Sequence, residues 1–160
     1  MDKKLRVAVY CRVDQAGEVQ TLTEMQKMYY EQYISSHEDW VYSGIYFDNA
    51  PGTKNSPRPE LGRLQRDCEK GKIDLIVTQS LSRLYRDMFD ALSFMLKLLK
   101  LTPPVGVYIE HTGFNTLKIG AERLSCAMTL WWAKEGLNPV CPSYFSAAKP
   151  LGGQLPGKDA

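Results

Sequence analysis

Arginine is the residue type whose placement in this 160-residue chain most suggests chemistry. Arg12 lies in "YCRVD" at residues 10–14, Arg58 in "NAPGTKNSPRP" at 49–59, and Arg83 and Arg86 in "QSLSRLYRD" at 79–87. A guanidinium keeps its charge at any ordinary pH, and its forked donors fit two oxygens of a phosphate at once. Arginines clustered without lysine suit a clamped or reacting phosphate, because preorganised positive charge meets the charge on the phosphate oxygens. Asp14 and Ser82 stand next to this set in the sequence. The plainer alternative is a scatter of arginines at helix starts, paired with acids such as Asp87.

The elements that would position these residues alternate between strand and helix. "LRVAVYC" is a short β-branched run, and "WVYSGIYFD" and "IDLIVTQ" have the same character. Between the first two lies "TLTEMQKMYYEQYISSHE", with Leu22, Met25, Met28, Tyr29, Tyr33 and Ile34 at helical spacing. In "PELGRLQRDCEKG", Pro59 suits a first helical turn and Gly71 the residue after the last. "RDMFDALSFMLKLLKL" is a strongly amphipathic helix that stops ahead of Pro103-Pro104, and "VGVYIE" is a further strand. The pattern predicts an α/β fold with a mostly parallel twisted sheet of about four to five strands flanked by helices. Ligands of such sheets bind beyond the carboxyl ends of the strands. Arg12 and Asp14 follow the first strand, Asp48 the second, and Ser80, Ser82, Arg83 and Arg86 the third, so the polar residues converge on one edge.

A last helix is expected in "GAERLSCAMTLWWAKEGLN", where Leu124, Ala127, Met128, Trp131 and Trp132 form a broad apolar face. That width fits a partner subunit as well as the domain's own core. The expected organisation is a domain over 1–117, a helix with a possible dimerisation role over 118–138, and a flexible Pro- and Gly-rich tail over 139–160. No apolar run approaches the roughly 20 residues of a membrane span, and the N-terminus lacks a cleavage site for secretion. Cys11, Cys68, Cys126 and Cys141 are widely spaced, which suits free thiols in a cytoplasmic protein better than zinc or disulfides. Residues 1–50 hold five Lys/Arg against eight Asp/Glu, and residues 51–100 hold ten against six, so the middle of the chain could face a polyanion.

"RVAVYCRV", "YFDNAPGT", "RPELGRL", "GKIDLIVTQSLSRLYRD" and "VGVYIEHTGFNT" occur in that order over about residues 5–117. Together they resemble the catalytic domain of serine site-specific recombinases, the resolvase/invertase group, and most closely its large, transposon-associated members. The resemblance implies a DNA-acting tetramer in which a serine hydroxyl attacks a phosphodiester. A 5′-phosphoserine forms, a 3′-hydroxyl leaves, subunits exchange and the strands rejoin, with no metal or other cofactor. It also implies that Arg12, Arg58, Arg83 and Arg86 bind phosphate and that Ser82 stands where members carry Ser or Asp. Gln26 loosely matches a glutamine of the family's first helix.

The chain departs from the family where the chemistry is done. The nucleophilic serine belongs directly after "YCRV", and Asp14 stands there; the serine of the family's "SGT" loop is Pro51. Attack by a carboxylate would give a hydrolysable acyl phosphate. Asp14 would also repel the phosphate, by about 4 kcal/mol for unit charges 4 Å apart at an effective dielectric of 20. Alternatively it could neutralise Arg12 and Arg83 as a built-in phosphate mimic. The expectation is a recombinase domain that has lost strand cleavage, or an accessory protein that pairs with itself or an active recombinase through residues 119–136. Double-stranded DNA would bind weakly, because the tail carries no recognisable DNA-binding module.

A metal-dependent nuclease built on Asp14, Asp48 and Asp74 is disfavoured. Asp74 begins its strand rather than ending it, and the arginines would oppose a cation. His37 at a helix end and His111 after a strand make poor general bases, and Tyr85 is expected to turn towards packing rather than act as a nucleophile.

Overall fold

The computed structural model describes residues 3–13, 19–50 and 57–134, with side chains detailed for 3–13, 21–50 and 57–130. Asp14, Pro51 and the tail lie outside the described residues, as do the side chains of Trp131 and Trp132. The elements run β1 (Leu5–Val13), α1 (Val19–Ser35), β2 (Trp40–Asn49), α2 (Pro59–Glu69), β3 (Leu75–Thr78), α3 (Leu81–Leu84), α4 (Met88–Leu99), β4 (Gly106–Ile109), β5 (Phe114–Asn115), α5 (Thr116–Ile119) and α6 (Ala121–Lys134).

The five strands form one sheet in the order β2-β1-β3-β4-β5. The first four are parallel, and β5 is a two-residue antiparallel edge on β4. The expected α/β architecture is therefore present. The sequence reading did not anticipate β5, the one-turn helices α3 and α5, or the break at 85–87 that starts α4 at Met88. All three short elements fall below the length at which periodicity carries a signal.

Parallel strands covered on both faces read as continuous apolar runs, and all four residues of β3 are buried. Val7, Val9 and Cys11 of β1 face α1, where they pack with Tyr30, Ile34, Trp40, Leu75 and Val77. Ala8 and Tyr10 face the other way, into a larger core with Leu64 of α2, Met95 of α4 and Met128 of α6. In α4, Met88, Ala91, Leu92, Met95 and Leu98 are buried at i, i+3, i+4, i+7 and i+10, so one stripe of the helix faces the sheet. Gly106 in β4 permits a close approach, since a Cβ there would stand 2.3 Å from Leu117 Cγ.

Two polar anchors fix the ends of the sheet. At the amino ends, Arg6 grips Asp74 with Nε to Oδ2 and Nη2 to Oδ1, both at 2.9 Å, and its backbone N–H adds a 2.8 Å bond to Oδ2. At the carboxyl ends, the buried Asp48 accepts from the backbone N–H groups of Glu60 and Leu61, at 3.0 and 2.9 Å, and from Tyr10 Oη at 3.0 Å. It thereby satisfies donors of the first turn of α2, which have no intrahelical partner. β2 carries an extra residue between Tyr42 and Gly44, after which the pairing shifts by one and Arg12 lies opposite Asp48.

Asp48→Ala should lower the unfolding free energy by about 3 kcal/mol in urea titrations, because two backbone bonds to a charged acceptor are lost in a buried setting. The hydrogen bond from Arg6 is the main cause that holds the Asp74 carboxyl below its usual pKa. Its contribution is therefore present above the unfolded carboxylate value of about 4 and lost as pH falls through the lower folded value. Denaturation titrations between pH 6 and 2 should show a smaller acid-induced loss of stability in Arg6→Gln than in the wild type.

Candidate functional site

The strand order reverses direction between β1 and β3. The chain first moves outward from β1 to β2, then crosses back to β3 on the other side of β1. Helices leave such a point towards opposite faces, and a crevice opens at the carboxyl ends of the two strands. A cleft of about 380 Å³ lies here, lined by Tyr10–Val13 of β1, Gln79 and Arg83 after β3, Glu110 after β4, and Leu22, Met25, Gln26, Tyr29 and Tyr30 of α1.

Beside it, α3 is a single turn, so most of its carbonyls have no helical partner. Arginines take three consecutive ones. Arg12 donates from Nη2 to Ser82 O at 2.9 Å and from Nε to Arg83 O at 3.0 Å, and Arg58 Nη1 donates to Leu84 O. Arg12 Nη1 also donates to Ala50 O, at 2.9 Å, just past β2. The exchange is reciprocal, because Arg83 Nη1 donates to Arg12 O at 3.3 Å. The Arg58 guanidinium lies 4.5 Å from the centre of the Tyr85 ring, which also packs against Phe94.

The four sequence-predicted arginines thus gather at one edge, in different ways. Arg12 is only 4 % exposed, with three of its donor directions spent on carbonyls. Burial first, and then the positive charge of Arg83, lower its pKa; Arg86 and Arg58 act in the same direction. Arg58 and Arg83 are half-buried, and Arg86 is exposed. Ser82 is half-buried, its Oγ 3.0 Å from Ser80 Oγ. Gln26 does line the cleft. Asp14 lies outside the described residues.

Asp48 and Asp74 stand at opposite ends of the parallel strands, each engaged as a structural anchor. Among the described residues, no group of three or more His, Cys, Asp or Glu is placed to hold a metal ion. His37 stacks on Trp40 with ring centres 3.8 Å apart, and its Nδ1 sits 2.9 Å from Tyr33 O.

Glu110, Tyr29, Tyr30, Gln79 and Cys11 were not singled out as site residues from the sequence. Glu110 and Gln79 could have been found by the rule that drew attention to the arginines, since each follows a parallel strand directly or within two residues. Burial, then Glu110, push the Cys11 thiol up to about 12, with Arg83 opposing, so it is an inert wall of the cleft at neutral pH.

A family model described as "Resolvase, N terminal domain" matches residues 7–118. The N-terminal catalytic domain of TP901-1 integrase superimposes with a TM-score of 0.57 at 21% identity, over 82% of this chain and 94% of that one. A resolvase family site-specific recombinase from Streptococcus pneumoniae gives 0.55 at 24%, over 72% and 78%. The C-terminal catalytic domain of ISC1926 TnpA, an IS607-like serine recombinase, gives 0.52 at 20%, over 82% and 84%. No curated protein matches the sequence.

Arg12→Lys tests the carbonyl clasp directly. An ammonium keeps the charge but cannot span three carbonyls in a planar fork. Urea unfolding should show a loss of about 2–3 kcal/mol from the buried acceptors left without a donor.

Proposed function

Because the chain belongs to the family of resolvase N-terminal domains, the catalytic domains of DNA recombination, we propose that it grips a DNA phosphodiester at its arginine edge but does not cleave the strand. What supports this reading is the gathering of Arg12, Arg58 and Arg83 around α3, with Arg86 just beyond it, together with the sequence resemblance that sets Asp14 where the family carries its serine.

The roles divide by burial. Arg12 and Arg58 hold the backbone of α3 in place; that turn presents Arg83, and Arg86 follows in the break before α4. Arg83 on the cleft wall and the exposed Arg86 are the groups best placed to meet a phosphate from solvent. Ser82, fixed by its neighbours, offers a hydroxyl next to them. A phosphodiester seated here would have its charge stabilised without a metal. Transfer requires a nucleophile that can leave again when the strands rejoin. A serine oxygen does so as a phosphate ester, whereas an acyl phosphate on Asp14 would be lost to water. Binding without exchange is therefore the proposed outcome.

The second reading is an accessory role, in which the chain pairs with itself or an active recombinase through residues 119–136. It follows from the same substitution, because a domain that keeps its scaffold without its nucleophile can still assemble.

The purified chain and its Asp14→Ser variant, each incubated with a randomised duplex pool, separate the readings from an active enzyme. Detergent-resistant protein–DNA adducts are expected only with Asp14→Ser; adducts formed by the unaltered chain would overturn the proposal. Duplex binding should be weak and fall steeply between 50 and 200 mM salt, as for a contact made mainly through phosphates.

A further inference from the structure

The arginine cleft has an acidic wall for which phosphate binding has no use. Glu110 follows β4 and lines the cleft opposite α1. Its Oε1 accepts a hydrogen bond of 2.5 Å from Tyr29 Oη, 81 positions away in the chain. Its Oε2 is sealed from solvent and has no hydrogen-bond partner among the described residues. Tyr30, the next residue of α1, is buried. Both phenols respond to this carboxylate. Tyr29 is raised above its usual pKa chiefly by the hydrogen bond to Glu110, and Tyr30 by burial first and then by Glu110.

The attachment of α1 is uneven. Its buried residues among the described side chains are Tyr30 and Ile34, both in the second half of the helix. That half is further fixed by Tyr33, His37 and Trp40, whose rings pack together. From residue 21 to 29 no side chain is buried, yet Leu22, Met25 and Gln26 from this stretch roof the cleft. Tyr29 sits where the fixed half ends and the overhanging half begins. The bond from Tyr29 to Glu110 ties α1 to the end of β4 at that point, beside the cleft that Arg12 and Arg83 also line.

We propose that Glu110 is a positioning residue: through Tyr29, it sets the pose of the first half of α1, with Gln26, over the arginine cleft. The proposal rests on the phosphate-binding reading for its purpose, though not for its geometry. A carboxylate placed near Arg83 for charge alone would weaken phosphate binding. Its value here lies in holding the roof, which keeps Gln26 within the cleft.

The test uses the whole chain and three variants, Glu110→Leu, Glu110→Gln and Tyr29→Phe. Amide hydrogen exchange is followed without DNA, and duplex binding is titrated separately. Glu110→Leu and Tyr29→Phe should speed exchange over residues 21–29 by about five- to tenfold, the effect of one lost hydrogen bond on local opening. Both should weaken duplex binding. Glu110→Gln keeps an acceptor oxygen and should retain slow exchange. Tyr29 is half exposed, so its variant keeps the fold even if Glu110→Leu does not. Unchanged exchange in Tyr29→Phe overturns the proposal. Tighter duplex binding in both Glu110 variants, with exchange unaltered, also overturns it and leaves Glu110 as a local charge. If the unaltered chain binds no duplex, the phosphate reading fails, while the exchange data still decide the role of Glu110.

Discussion

The site depends on a shortage of hydrogen-bond donors in one turn of helix. α3 is four residues long, too short to satisfy its own carbonyls, and it carries two of the four arginines on or next to it. Ser82, Arg83 and Leu84 offer three consecutive acceptors in a half-buried setting, where unpaired polar groups are costly. Arg12 from β1 and Arg58 from the start of α2 supply the donors. Three segments far apart in sequence are tied together by this one need, and Arg12 extends the tie to Ala50. The positive charge at the edge is thus partly a by-product of structural repair: guanidiniums brought in to satisfy carbonyls also raise the local potential.

Such an arrangement is preorganised but also strained electrostatically. Arg12 feels the repulsion of Arg83, Arg86 and Arg58 while buried, and its pKa falls for both reasons. An anion at the edge would relieve that repulsion, and the carbonyl clasp already holds the backbone of α3 in place. The same logic bears on the proposed absence of strand cleavage. The clasp belongs to the fold, so the arginines remain where folding needs them whether or not a bond is ever broken beside them.

Much of this was legible in the sequence, for identifiable reasons. The β-branched runs at 5–11 and 73–79 and the apolar stripe of α4 have clear periods, and proline and glycine mark both ends of α2. The strand-tip rule placed the four arginines at one edge, and the ordered motifs gave the family. What the sequence could not show is what each guanidinium touches. Arg12 and Arg86 look alike as letters, yet one is buried against carbonyls and the other is exposed. Asp48 looked like one of a set of converging polar residues, whereas its oxygens cap α2 and receive Tyr10. Glu110 escaped notice because its partner, Tyr29, lies 81 positions away and sat in a helical pattern read only for apolar spacing.

The extra residue in β2 has a consequence for how this fold can change. Up to Tyr42 the even-numbered side chains of β2 face α1; beyond Gly44 the odd-numbered ones, Ile45 and Phe47, take over, and Tyr46 turns to the opposite core. The strand therefore switches phase midway, and Asp48 reaches α2 only because of that switch. With Ser43 retained, straightening the bulge would send the carboxylate to the wrong side, freeing Tyr10 and the start of α2 together; deleting Ser43 along with the bulge would leave Asp48 facing α2. Evolution can trade letters along this strand with some freedom, but the extra residue and the bulge must be kept or lost together.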